Sequence, residues 1–497
     1  MKIVLLSLVL LGQTSLSCFG NENVFLERSF WSSNPSIDLI KEKMASGHDV
    51  AELSSNGFDA VAWALIEKTE NATVIFLLQQ EGNKLSKLTH DGRTYIFWAA
   101  YRDNLEIMQY LIDNGAKTDV IDSHGYSLIN FAAVTGQLNP KLYDLCIYHG
   151  ADVTREKNHD GANAMHLLAP FMQDGSMIDY FVSKGISLES IDDSGNGIFN
   201  YAVRRGNIDL LEMLIAQKVP YKFINSEGGN SMIFASQGTR GHTNSLELFQ
   251  YLEKKGIAPN VSTESGTNPL HALAYKSEDI DVLKYFVDRG VNVDQQDAKG
   301  FTPIINAAHQ NNLVYLSFMV EHSDDINVVN KKGFSALMAA IKYNSPEVVS
   351  FLIQKGADVS LCDKDNNNSA YYLIESFDLK KEEQFKNKLK LLMDAGFDLT
   401  STSGKGNNLY HLAVQKNNTQ LLYILDSMKV SLNVKNDEGY TALHIAAMQA
   451  IDDQVLKYLI EKGADKATTT SFQETAYDLA KENELLIQQN VSIDFLK

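Results

Sequence analysis

Cysteine is nearly missing from this chain, with three residues in 497, too few for a disulfide-stapled scaffold. Proline is scarce as well, at eight residues, while 44% of the chain is hydrophobic. That composition belongs to an ordered protein and not to a disordered one. Positive charge is in deficit. Lys and Arg number 44 against 62 Asp and Glu, a net charge of −18, and such a surface repels phosphate backbones and anionic lipid. DNA, RNA and acidic membrane are therefore poor partners. No stretch approaches the ~20 consecutive apolar residues of a membrane-spanning helix. The signatures H-E-x-x-H, paired C-x-x-C, G-x-S-x-G and G-x-x-x-x-G-K-[ST] are absent too, which leaves no ready-made metal, nucleophile or phosphate site. At about 100–200 residues per domain the length would give three or four domains, unless one long repetitive domain takes their place.

The N-terminus reads as an export signal. Lys2 precedes the apolar run Ile3–Leu11, Gly12-Gln13-Thr14 breaks it, and Ser15 and Ser17 fit the small-x-small cleavage rule. A signal peptide over residues 1–17, cut near 17–20, predicts an exported protein of the periplasm or cell surface of a bacterial envelope. Ser15-Leu16-Ser17-Cys18 resembles a lipobox, although Leu16 stands one place nearer the cysteine than in that pattern. Cys18 is thus a candidate lipid anchor.

Internal periodicity decides the fold. Gly57, Gly92, Gly125, Gly161, Gly195, Gly229, Gly266, Gly300, Gly333, Gly406 and Gly439 recur at intervals near 34 residues, and Asn367 and Gln473 fill the missing beats. A second series trails the first, as in Asn114-Gly115-Ala116, His149-Gly150-Ala151 and Lys462-Gly463-Ala464. Glycine at the anchor permits the positive φ of a tight turn. Thr or Ser two places later can cap a helix, Pro suits its first position, and glycine after the second helix stops it. Each helix pair exposes an apolar stripe that only stacked neighbours can cover.

Phe301-Thr302-Pro303-Ile304, Asn268-Pro269-Leu270-His271 and Tyr110-Leu111-Ile112-Asp113-Asn114-Gly115-Ala116 resemble the ankyrin repeat, whose pattern runs turn, T-P-L-H-x-A-A, second helix, G-A-D. The resemblance implies an all-α solenoid of about 13 repeats over residues 54–485, with an N-terminal cap over 18–53 and a C-terminal tail over 486–497. Repeat 10 departs most, with an insert near Asp378–Phe385, and repeat 6 carries extra residues at Gly238–Thr243.

Several residues invite a chemical reading. Asp363-Lys364-Asp365-Asn366-Asn367 starts like a calcium loop, but Asn368 and Ile374 stand where such a loop needs Gly and Glu, so a degenerate repeat turn is expected. His166, His271, His411 and His444 occupy the histidine position of their T-P-L-H segments and are expected to bond turn backbone. Cys146 and Cys362 lie six repeats apart, on the order of 50–60 Å at ~8–10 Å per step, and cannot bridge. No metal or cofactor is expected.

The ankyrin resemblance implies that recognition uses turn tips and the ends of first helices. On this chain those positions are His90, Asp91, Arg93, Tyr101 and Arg102 in repeat 2 with Trp98 adjacent, Asn196, Arg204 and Arg205 in repeat 5, Lys299, Phe301, His309 and Gln310 in repeat 8, Phe334, Lys342 and Tyr343 in repeat 9, and Tyr440, Met448 and Gln449 in repeat 12. A monomeric, non-catalytic scaffold with a protein partner is the leading expectation. Two rivals are a metal-dependent envelope enzyme around Asp363, Asp365, Lys381, Glu382 and Glu383, and a glycan-binding module built on exposed Trp98 and tyrosines.

Overall fold

The computed structural model describes residues 23–275, 277, 279–310, 313–428 and 430–497. The segment expected to be a signal peptide and the candidate anchor Cys18 lie outside the described residues. The chain divides into two compact units, the first ending at Ala202 and the second running Val203–Lys497. Both are stacks of helix pairs, and no strand forms among the described residues. Isolated bridges such as Ile121 with Ser127 and Val329 with Ser335 pin the arms of the turns.

In the first unit the first helices Ala60–Ile66, Tyr95–Tyr101, Leu128–Val134, Ala164–Leu168 and Ile198–Ala202 pack one on the next. In the second, Ser231–Gln237, Pro269–Leu273, Pro303–His309, Ala336–Tyr343, Ser369–Glu375, Leu409–Val414, Ala442–Gln449 and Ala476–Glu482 do the same. These helices lose their amphipathic pattern because they are covered on almost every side. Ala442 to Ala447 are all buried, whereas Gln454–Glu461, the second helix of that repeat, buries only Val455, Leu456, Tyr458 and Leu459. Ala446 and Ala447, like Ala307 and Ala308, keep side-chain bulk small where helices meet.

The turns are built by one device used repeatedly. Three residues before the anchor, an Asp or Asn side chain accepts two backbone N–H groups: Asp122 takes those of His124 and Tyr126, Asp297 those of Lys299 and Phe301, Asn436 those of Glu438 and Tyr440. Such Asx turns hold the chain while the anchor adopts positive φ. Neighbouring turns are then tied together at many of the anchors, where the carbonyl before the anchor accepts an N–H from the next turn. Lys331 N–H donates to Lys299 O at 2.9 Å, Lys364 N–H to Lys332 O at 2.8 Å, and Asp437 N–H to Lys405 O at 3.0 Å.

This ladder corrects two anchors. In repeat 6 the left-handed residue is Gly228 (φ +81), not Gly229, and in repeat 10 it is Asn366 (φ +59), not Asn367. Asn225 and Asp363 stand three places earlier and close the turns, while Asn230 and Asn368, two places later, cap the first helices. Asp363 also accepts the Tyr372 hydroxyl at 2.5 Å and the Asn367 amide at 3.0 Å. Its oxygens serve the turn, as expected of a degenerate repeat.

The four histidines join repeats. Nδ1 of His271, His411 and His444 accepts the N–H of its own cap residue, Asn268, Asn408 or Thr441. Nε2–H then donates to a carbonyl of the following turn, Phe301, Tyr440 or Thr468, at 2.9–3.1 Å. His166 makes the second bond to Ser190 O at 2.9 Å and stacks on Tyr201, but its buried Nδ1 has no partner among the described residues. Burial pushes its pKa down to about 4 and lowers the other three as well.

Asparagines between the two helices perform a related task. Asn344, Asn483 and Asn244 reach back to the carbonyls of Ala308, Ala447 and Val203, each eight places after the preceding anchor. The insert in repeat 10 removes that asparagine. The equivalent carbonyl, Ile341 O, is instead met by the buried ammonium of Lys388 at 2.8 Å, from the 13-residue helix Glu382–Asp394.

The N-terminal region is a shortened helix pair, Arg28–Ser32 and Ile37–Ala45, that seals its unit with Phe25, Trp31 and Ile40. At the other end Glu484–Gln488 and the short turn Asp494–Leu496 bury Leu486 and Leu496. Cys146 is buried and Cys362 exposed, both as free thiols. Among the described residues no helix is long and apolar enough to cross a membrane.

Candidate functional site

Side chains at the turn tips divide between support and display. In repeat 2 the guanidinium of Arg93 bridges the Asp91 carboxylate at 3.0 Å and the buried Asp122 carboxylate at 2.8 Å, with the Phe131 ring 4.5 Å from its carbon. Only 9% of Arg93 is exposed, so it supports the turn and does not reach a ligand. Trp98, read from sequence as exposed, is 5% exposed; its indole N–H donates to Thr89 Oγ1 at 2.7 Å. Asn196 is 3% exposed, and its amide bonds the Asp192 carboxylate that closes its own turn. These three are corrected from display to support.

His90, Asp91, Tyr101 and Arg102 remain half-buried at the surface. His90 stacks on Phe58 at 4.4 Å, and Phe58 stacks in turn on Trp63 at the same distance. Arg102 lies 4.8 Å from the Tyr101 ring. Phe58 and Trp63, which sequence reasoning passed over, therefore belong to the aromatic cluster of the first unit.

In the second unit Phe301, Phe334 and Tyr440 are half-buried against the turns. The Phe301 and Tyr440 carbonyls receive the histidine bonds, and the Phe334 ring meets Tyr372 at 5.3 Å. Lys299, Arg205, Gln310, Met448 and Gln449 are exposed, as their positions predict. Arg204 is half-buried over the Phe234 ring and donates to Gln237 Oε1 at 3.0 Å. The richest group is the row of first-helix ends in repeats 7 to 11. There His309, Lys342 and Tyr343 are joined by Tyr275, Glu375 and Lys416, three residues not singled out from sequence. Tyr275 and Tyr343 are 41% and 51% exposed, unusual for rings of that size beside a buried core.

Two of the five residues proposed from sequence for metal-dependent chemistry, Asp363 and Glu382, have other engagements. Asp363 closes its turn, and Glu382 pairs with Lys386 at 2.5 Å and accepts from Gln420. Among the described residues no group of three or more His, Cys, Asp or Glu is placed to hold a metal ion.

A family model described as ankyrin repeats in three copies matches residues 31–122, 61–156, 199–297, 232–327, 270–363 and 380–470. The internal unmatched stretches, 157–198 and 364–379, include the first helix of the deviant repeat 10. A Rickettsia felis protein described as an ankyrin repeat protein is 24% identical over 269 residues, 48% of this chain and 67% of its own length. The Neurospora crassa ankyrin repeat protein nuc-2 is 22% identical over 183 residues, covering 37% of this chain and 17% of that protein.

Proposed function

Since the chain belongs to the ankyrin repeat family, whose repeats generally serve as non-enzymatic protein-binding scaffolds, we propose that it is a monomeric protein-binding scaffold of the bacterial envelope. A protein partner docks on turn tips and first-helix ends, and the scaffold needs no cofactor. The observation that carries this reading is the contrast within single helices. Residues 336–341 are buried as core, yet Lys342 and Tyr343, which follow directly, are displayed. A stacked core fixes those side chains before the partner arrives, so little ordering entropy opposes binding. Export rests on the Lys2, Ile3–Leu11 and Ser15-Leu16-Ser17 pattern, and Cys18 is the proposed lipid anchor.

Capture from envelope extract on the immobilised chain tests the proposal, with Arg205→Glu plus Tyr343→Ala as comparison. Recovery of a specific protein should drop at least fivefold in the variant while thermal unfolding stays unchanged. Equal recovery from both would remove these positions from the binding face.

A further inference from the structure

The first-helix ends of repeats 7 to 11 form a connected row, and its chemistry is one-sided. The Tyr275 and His309 ring centroids lie 6.3 Å apart, and those of His309 and Tyr343 lie 4.2 Å apart. Lys342 Nζ sits 5.3 Å from the Tyr343 ring centroid and 3.5 Å from one oxygen of Glu375. Lys416 Nζ is 2.6 Å from the other oxygen of that carboxylate. At the first-helix ends two ammonium groups meet one carboxylate, a local surplus of one positive charge on a chain whose net charge is −18, while the turn carboxylates Asp297, Asp363 and Asp365 face the neighbouring Tyr275 and Tyr371. His309 adds an Nδ1 with no hydrogen-bond partner among the described residues. Burial lowers its pKa, so the ring is neutral near pH 7 and adds an aromatic face without adding charge.

Glu375 fixes both lysines while leaving their side chains 24% and 31% exposed. Fixed cations beside aromatic rings suit carboxylates interleaved with apolar side chains, since the rings take the apolar groups and the ammonium groups take the acids. Polyphosphate suits the row badly. Nucleic acid brings a charge at every residue, and the acidic remainder of the molecule repels it. First helices in successive contact stand ~8–10 Å apart. Four steps from Tyr275 to Lys416 therefore span about 32–40 Å, the length of roughly 10–12 extended residues at ~3.3 Å each.

We propose that this row binds an extended, acidic peptide segment of the partner, about 11 residues long, with apolar side chains between its carboxylates. The proposal rests on the protein-binding reading above and names the partner's chemistry.

The test is fluorescence anisotropy of the full chain with a labelled 12-residue peptide in which Glu and Asp alternate with Leu and Phe. A matched peptide carrying Lys at every acidic position is the counter-probe. The acidic peptide should bind at least tenfold tighter than the counter-probe. Its affinity should also drop at least tenfold between 50 and 500 mM NaCl, because the attraction is between partly exposed charges. Lys342→Gln with Lys416→Gln should weaken it at least fivefold. Tyr343→Ala, which leaves the ion pairs intact, should weaken it at least threefold even if the lysine variant proves unstable. Lys117→Gln with Lys141→Gln, an equal charge change at exposed sites elsewhere, should alter affinity less than twofold. No binding, equal binding of both peptides, or equal weakening by the control pair would overturn the proposal. A partner captured from extract whose recovery ignores Lys342, Tyr343 and Lys416 would sink this inference and leave the scaffold reading standing. A chain that captures no protein would sink the scaffold reading itself.

Discussion

Acid should loosen the first unit through His166. The imidazole is fully buried, donates from Nε2 to Ser190 O, stacks on Tyr201 at 5.1 Å, and leaves Nδ1 without a partner among the described residues. Protonation would place a charged N–H where nothing accepts it, and burial accordingly pushes the pKa from 6.5 down to about 4. The folded pKa lies below the unfolded one. The stabilising contribution is therefore complete above about pH 6.5 and is lost as pH falls toward 4, because the unfolded chain takes up the proton first. A shift of about 2.5 units at ~1.4 kcal/mol per unit amounts to roughly 3 kcal/mol. Repeat stacks need not unfold in one step, so the readout is local. Amide hydrogen exchange in the helix Ala164–Leu168, corrected for intrinsic rates, should show protection dropping by about two powers of ten between pH 6.5 and 4.5. His166→Gln keeps a side chain able to serve the third position of a helix and removes the titration, so its protection should vary much less over the same range. Equal pH slopes in the two proteins would refute the reasoning.

Other perturbations probe the turn ladder and its substitutes. Burial lowers the Lys388 pKa to about 8, so wild-type stability should rise by roughly 3 kcal/mol between pH 8 and 10.5, where the unfolded lysine still holds its proton. Lys388→Met should lack that rise. At pH 7 it should differ from wild type by less than about 2 kcal/mol, because relief of the buried charge offsets the orphaned Ile341 carbonyl; exchange in Glu382–Asp394 measures both. Gly300 has φ +82, and a β-carbon there would lie 2.6 Å from Lys331 N, so Gly300→Ala should cost on the order of 2–3 kcal/mol through strain and a lost ladder bond. Chemical denaturation followed by circular dichroism would detect it, and an unchanged midpoint would contradict the ladder. Arg93→Ala leaves the buried Asp122 carboxylate without its cation and should lower stability by about 3 kcal/mol. Arg93→Lys should recover only part of that, since one ammonium cannot bridge both carboxylates as a guanidinium does.

The repeat architecture was legible because its signals are local: a residue able to take positive φ, a capping side chain two places on, and a stop after the second helix. Register was harder where identical residues adjoin. Gly228-Gly229 and Asn366-Asn367-Asn368 offer neighbouring choices of the same chemistry, and only the Asx residue three places earlier decides between them. That signal stands in the sequence at Asp122, Asp192, Asp297 and Asn330, but its use appears only when the N–H groups it accepts are seen. Counted from Asn366, the end of that first helix falls on Glu375, in step with Tyr275 after Gly266 and His309 after Gly300. Trp98 and Arg93 were misjudged for a different reason. Arg93 holds a displayed turn position and Trp98 neighbours the displayed residues, but here Asp122 and Thr89 supply partners that draw them inward. Tertiary partners of that kind leave no periodic mark.

Differential hydrogen exchange of the full chain with and without its captured protein partner tests the central claim most directly. The account predicts new protection at turn tips and first-helix ends, strongest around Tyr275, His309, Tyr343 and Lys416, with the second helices unchanged. Protection confined to second helices such as Pro346–Gln354 and Gln454–Glu461 would contradict it.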